Sequence, residues 1–271
     1  MKNKKNLLRS YQVHPYHLVE PSPWPLGASI ACLVLTIGGV LAMHNYVLGS
    51  FVLSTGILLV LLTMIYWWRD VIREGTYQGN HTKAVKKGLT LGVILFIISE
   101  LCLFISFFWA FFHSSLSPSV ELGSVWPPVG IESLDAFEIP LLNTVILLLS
   151  GATITVSHNK MISGEKSMTI LYLVLTILLA ALFLACQYIE YNVAQFTIAD
   201  SVYGSSFFLI TGFHGAHVII GAIFLIVSLN RIINNQLTKH HHLGYEAGIL
   251  YWHFVDLIWL FVFTSIYWWG G

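Results

Sequence analysis

FVLSTGILLVLLTMIYWW (51–68), RDVIREGTYQGNHTKAVKK (69–87) and GLTLGVILFIISELCLFISFFWAFF (88–112) follow one another without a break, and their reading decides the fold. A helix crosses the hydrocarbon core of a bilayer with about 20 apolar residues at 1.5 Å rise each. The outer two segments meet that length, while the middle one carries Arg69, Arg73, Lys83, Lys86 and Lys87. They read as two crossings joined by a basic connection. Working outward, five more apolar stretches lie at 24–43, 139–157, 168–189, 202–229 and 246–269. With seven crossings, all thirteen Lys and Arg fall on one side: Lys2, Lys4, Lys5 and Arg9, then the five above, then Lys160 and Lys166, then Arg231 and Lys239. The alternate connections hold acids only, namely Glu121, Glu132, Asp135, Glu138, Glu190 and Asp200. Positive charge stays on the side from which a chain is inserted, so this partition supports the count independently of hydropathy.

The chain of 271 residues is 56% hydrophobic and 10% charged, against about 25% charged for a soluble domain. Seven spans leave no room for a soluble domain. Zero net charge implies no bulk attraction to nucleic acid. Backbone in lipid must satisfy its own hydrogen bonds, so the expected fold is all-α, a polytopic membrane protein of seven transmembrane helices. The expected segments are 1–23 as a leader on the cation side, 24–70 as helices one and two, 71–87 as a basic connection, and 88–271 as helices three to seven. The first span follows Pro21-Ser22-Pro23-Trp24-Pro25 and lacks a cleavage site, so it reads as retained. Trp67-Trp68 and Tyr267-Trp268-Trp269 mark interfaces. Cys32, Cys102 and Cys186 read as small buried hydrophobes, since no CxxC pair exists.

Glu100 is the sharpest chemical feature, about twelve residues from either end of its apolar stretch. An ionised, unpaired carboxylate at that depth costs several kcal/mol, so the group is neutral, paired or wetted. A proton-active carboxyl and a structural interhelical hydrogen bond are both consistent with it. No Lys or Arg lies in a neighbouring span, so a neutral carboxyl donating to a hydroxyl, a carbonyl or a lipid headgroup is expected. His253 and Asp256 share a face at i,i+3 and read as a polar pair turned into the bundle. His214 and His217 also share a face, but nearby Gly212, Gly215, Ala216 and Gly221 favour close packing over metal binding. His240-His241-His242 reads as a solvated polar loop beside Lys239. Around Trp67–Glu74, cations with flanking Trp suit phospholipid phosphates, although an ordinary basic loop under an aromatic belt explains the same composition.

Six segments then narrow the choice: HPYHLVEPSPWPL (14–26), WWRDVIREGTYQGNHT (67–82), FIISELCLFISFFWAFFHSSLSPSVELGSVWPPVGI (96–131), EIPLLNTVILLLSGATIT (138–155), FTIADSVYGSSFFLITGFHGAHVIIG (196–221) and YWHFVDLIWLFVFTSIYWWG (251–270). In order and wording the chain resembles subunit III of the haem–copper cytochrome c oxidases, mitochondrial branch. The resemblance implies seven helices split two plus five around a lipid-holding cleft, with the N-terminus in the matrix. It implies a place in the complex that passes electrons from cytochrome c to oxygen and pumps protons. The haems and coppers are expected in subunits I and II, with no metal or cofactor on this chain beyond structural phospholipids. Subunits I and II and accessory subunits are the expected partners, and the mitochondrial inner membrane the expected location, a bacterial plasma membrane being the alternative. Glu100 matches the family's carbodiimide-reactive carboxyl, and Trp67, Trp68, Arg73, Glu74 and His81 match its lipid-binding positions. No catalytic residue is expected. An independent transporter and a seven-helix receptor are the competing readings. Against the first stand the lack of an internal repeat and of Pro/Gly-broken helix pairs, and against the second the basic inner N-terminus.

Overall fold

The computed structural model describes residues 14–271, so Lys2, Lys4, Lys5, Arg9 and the start of the 1–23 leader lie outside the described residues. The described residues form seven long helices: α1 (Trp24–Met43), α2 (Gly49–Thr76), α3 (Lys83–Leu116), α4 (Ile139–Ser163), α5 (Lys166–Val193), α6 (Ser201–Ile233) and α7 (Leu243–Val262). A π-helical segment, Phe263–Trp268, continues α7. All seven are long and apolar enough to cross a membrane. Most outrun the apolar stretches that signal them. The expected basic connection 71–87 shrinks to 77–82, because Arg69, Asp70, Arg73 and Glu74 ride on the last turns of α2 and Lys83, Lys86 and Lys87 on the first turns of α3. Hydropathy marks where side chains stop being apolar, whereas the backbone ladder continues through good helix formers such as Arg, Glu and Lys.

The chain divides into two units, one ending at Leu89 and the other spanning Thr90–Gly271. In the first, a five-residue connection (44–48) folds α1 back along α2. The two backbones approach very closely at Gly38 and Gly56, both buried. A Cβ on Gly38 would sit 2.5 Å from Leu53 N, and one on Gly56 2.5 Å from Leu35 Cα. Small residues permit such backbone contact where lipid provides no hydrophobic drive between helices.

In the second unit α7 is the most enclosed helix: 67% of its apolar window is buried, against 6% for α3. Its face toward α4 is built on a seven-residue repeat. Tyr245 donates to Ser157 Oγ (2.6 Å), Trp252 Nε1 to Ser150 Oγ (2.9 Å) and Trp259 Nε1 to Thr144 Oγ1 (2.9 Å). Seven residues make about two turns, so the three aromatics stack on one stripe. Each brings apolar bulk plus one donor, and each meets a small hydroxyl residue on α4. Against α6 and α7, α3 packs through rings instead: Phe104 on His217, Phe107 on Phe213, Phe96 on Tyr251.

The basic connections of this unit gather at one end. Lys160 pairs with Glu165 at 2.9 Å. Lys166 Nζ donates to Ile233 O (2.8 Å) and Asn235 Oδ1 (2.7 Å), a cation placed on the carbonyls that end α6. At the other end Trp126 Nε1 donates to Gly270 O (3.1 Å), so the tryptophan of the long Ser/Pro/Gly connection is packed. There the Asp200 carboxylate accepts from Thr197 N–H (2.6 Å) and Thr197 Oγ1 (2.9 Å), and these bonds hold it below the usual carboxylate range.

Three expectations change. Glu190 lies within α5 at 1% exposure, not in a solvated connection: Tyr267 O–H donates to its Oε1, as does Gln187 Nε2 at 3.1 Å. The helix outruns its apolar stretch there because this polar face turns inward. Cys32 and Cys102 sit on exposed helix faces and Cys186 is half-buried. His242 is buried, since its ring tucks in at the start of α7.

Candidate functional site

Glu100 stands near the middle of α3, about 25 Å of helix from either end. Its Oε2 lies 2.8 Å from Nε2 of His217 on α6, and the two side chains are 21% and 8% exposed. The local sequence supplies this. Phe104, one turn beyond Glu100, stands edge-on to the His217 ring at 5.0 Å, and Tyr251 of α7 stacks near-parallel to it at 6.4 Å. An apolar, aromatic wall therefore fixes the imidazole with one nitrogen on the acid.

The other nitrogen settles the tautomer. Nδ1 lies 2.7 Å from Phe213 O, and a carbonyl only accepts, so Nδ1 carries a proton. One further proton then occupies the Nε2–Oε2 axis, as a carboxylic acid facing an imidazole or as a carboxylate facing an imidazolium. The arrangement can hold and pass a single proton at mid-helix, with the carboxyl on the more accessible side. The expected hydroxyl, carbonyl or headgroup partner is thus replaced by a histidine. Counting only Lys and Arg as partners hid it, and 117 residues separate the pair in the chain.

His214 is engaged differently. Its Nε2 donates to Val255 O at 3.1 Å, and its ring lies against Trp259 and Phe183. The i,i+3 pair His214/His217 therefore does not converge on one point. His253 and Asp256 stand 3.9 Å apart, beyond hydrogen-bond length, with His253 exposed and Asp256 buried against α4 near Gly151.

The remaining expected residues belong to the first unit. Trp67 and Glu74 share one face of α2 with Asp70 between them. Asp70 accepts from Trp24 Nε1 (2.7 Å) and Arg69 Nε (3.0 Å), while Arg73 stands 3.9 Å from it. Trp67 and Trp68 are exposed, at 39% and 59%. His81 sits in the short connection, its ring beside Gly75 and edge-on to His17 at 6.2 Å. The end of α2 thus presents indoles, a loosely paired guanidinium and an imidazole within two turns.

The family model for cytochrome c oxidase subunit III matches residues 14–271. Among curated proteins, "Cytochrome c oxidase subunit 3" of Allomyces macrogynus is 69% identical over 98% of this chain and 97% of its own length. The protein of the same name from Chondrus crispus is 54% identical over the whole of both chains. That from Triticum aestivum is 57% identical over 96% of this chain and 98% of its own.

Proposed function

This chain belongs to the cytochrome c oxidase subunit III family, and from that premise we propose that it is a non-redox core subunit of the mitochondrial oxidase that carries electrons from cytochrome c to oxygen. The observation that carries the reading is full-length similarity to proteins of that name. The engagement of His214 and His217 supports the non-redox part. A haem ligated by two histidines needs their imidazole nitrogens converging on one iron. Here one histidine is bonded to a backbone carbonyl and the other to a carboxyl. The haems and coppers then belong to partner subunits. Native purification tests this: the chain should travel with haem-bearing subunits, and alone it should show no Soret band. Stoichiometric haem retained by the isolated chain sinks the claim.

Its contribution is to stabilise the core, to support proton uptake through the Glu100–His217 pair, and to hold phospholipid. The chain lies in the inner membrane with its cation-bearing connections in the matrix. A thiol reagent confined to the intermembrane space should label Ser119→Cys, which sits in the long acid-bearing connection. Labelling from the matrix side alone overturns that orientation.

The lipid site is the end of α2, with Arg73 and His81 on the phosphate and Trp67 and Trp68 at headgroup depth, beside Glu74. Each cation near an anionic surface contributes about 1 kcal/mol. Arg73→Ala should therefore lower retention of tightly bound phospholipid about fivefold and shorten the enzyme's working life during turnover. Unchanged lipid content per haem, with unchanged inactivation, counts against the site.

A further inference from the structure

We propose that His158, His242 and Glu246 form a binding site for a divalent cation of the zinc class, clipping α4 to α7 at the basic end of the second unit. The donor atoms of the three side chains all lie within 4.8 Å of one another. The two imidazoles meet edge to face, with ring centroids 5.6 Å apart. His242 Nδ1 lies 2.8 Å from Thr238 O and so donates to it, which leaves Nε2 of the neutral ring as a bare lone pair. That lone pair stands 3.1 Å from Glu246 Oε1, itself only an acceptor when ionised. Nε2 of His158 and Nε2 of His242 are both buried without a hydrogen-bond partner. His242 is only 6% exposed.

Facing acceptors repel unless something positive sits among them. A proton on His242 would relieve one contact but leave His158 Nε2 orphaned. A metal ion satisfies all three. Two imidazoles and a carboxylate are the donor set of open zinc sites, which bind with three protein ligands and keep a position for water. A tetrahedral ion with bonds of about 2.0–2.2 Å needs donors about 3.4 Å apart, so closure asks for shifts on the order of 1 Å. Glu246 is half exposed and can supply most of that movement. A cavity of about 60 Å3 lined by Thr90, Val93, Leu243, Glu246, Ala247 and Leu250 adjoins Glu246 and leaves its side chain room to move. The three ligands also adjoin the seam between α4 and α7, since His158 follows Ser157 and Glu246 follows Tyr245, the terminal hydrogen-bonded rung. A cation here locks that rung.

The test uses the intact oxidase, freed of loose metal with a chelator and then equilibrated with zinc chloride. A crystal should show a zinc-edge anomalous peak between these three side chains, and dialysis with radioactive zinc should count one more ion per complex than Glu246→Gln binds. Loss of one ligand should weaken binding at least tenfold, as perturbing even an outer-shell partner commonly does. Magnesium chloride in excess should not displace the bound zinc, because magnesium prefers oxygen ligands. Glu246 is half exposed, so its variant assembles, as haem per protein will verify, and decides the matter alone; His158→Gln gives the second arm. Absence of the peak overturns the proposal, as does equal zinc in wild type and Glu246→Gln.

Discussion

Glu100→Gln is expected to yield a fully assembled oxidase that reduces oxygen within about twofold of wild type, while carbodiimide labelling of this chain falls to background. A twofold change lies well below the roughly 1.4 kcal/mol that a tenfold change in rate requires. The geometry explains the pairing of outcomes. Carbodiimides activate a carboxyl, and an amide cannot form the adduct. The glutamine is isosteric and can donate its N–H to the bare Nε2 of His217, whose Nδ1 proton is committed to Phe213 O. The contact between α3 and α6 therefore survives. His217→Leu should behave differently: it strips the one hydrogen-bond partner that the carboxyl has among the described residues, at a depth where an unpaired charge costs several kcal/mol, and assembled enzyme should fall. Loss of all oxidase activity in a fully assembled Glu100→Gln enzyme would make Glu100 an essential acid instead of an accessory one.

Gly38→Val should disrupt the α1–α2 hairpin, and so should Gly56→Val. The first added carbon already falls 2.5 Å from backbone atoms of the facing helix, about 1 Å inside ordinary contact, and backbone cannot move aside as a side chain does. Overpacking of this kind costs about 1–3 kcal/mol, up to roughly a hundredfold in the equilibrium between packed and separated helices. The readout is protease resistance of the 44–48 connection together with recovery of the chain in the assembled oxidase. Gly39→Ala is the control: a Cβ there meets nothing within 4 Å, so it should be neutral. Equal behaviour of Gly38→Val and Gly39→Ala would show that the close approach does not hold the pair together.

The number of helices and their positions along the chain were legible in the residues themselves. Each apolar stretch is long enough to be stable in lipid by itself, and transfer from water to hydrocarbon depends on a segment's own composition. The cation partition added sidedness to the expectation for the same reason, since charge near a span acts locally. Helix ends were less legible, as at Asp70–Lys87, because backbone hydrogen bonding runs past the last apolar side chain. The depth of Glu100 was also evident, but its partner was not. A 3.6-residue period relates residues on one helix only, and nothing in it links Glu100 to His217 on α6. The rungs of α7 left a trace, Tyr245, Trp252 and Trp259 at a spacing of seven, while their acceptors Ser157, Ser150 and Thr144 lie elsewhere in the chain. Glu190 was assigned to a solvated connection and His242 to a polar loop, because a linear reading prices each polar group against water or lipid. Tertiary packing decided otherwise: it brought Tyr267 to Glu190, and His158 to His242, so that polar groups from distant segments satisfy or crowd one another inside the bundle.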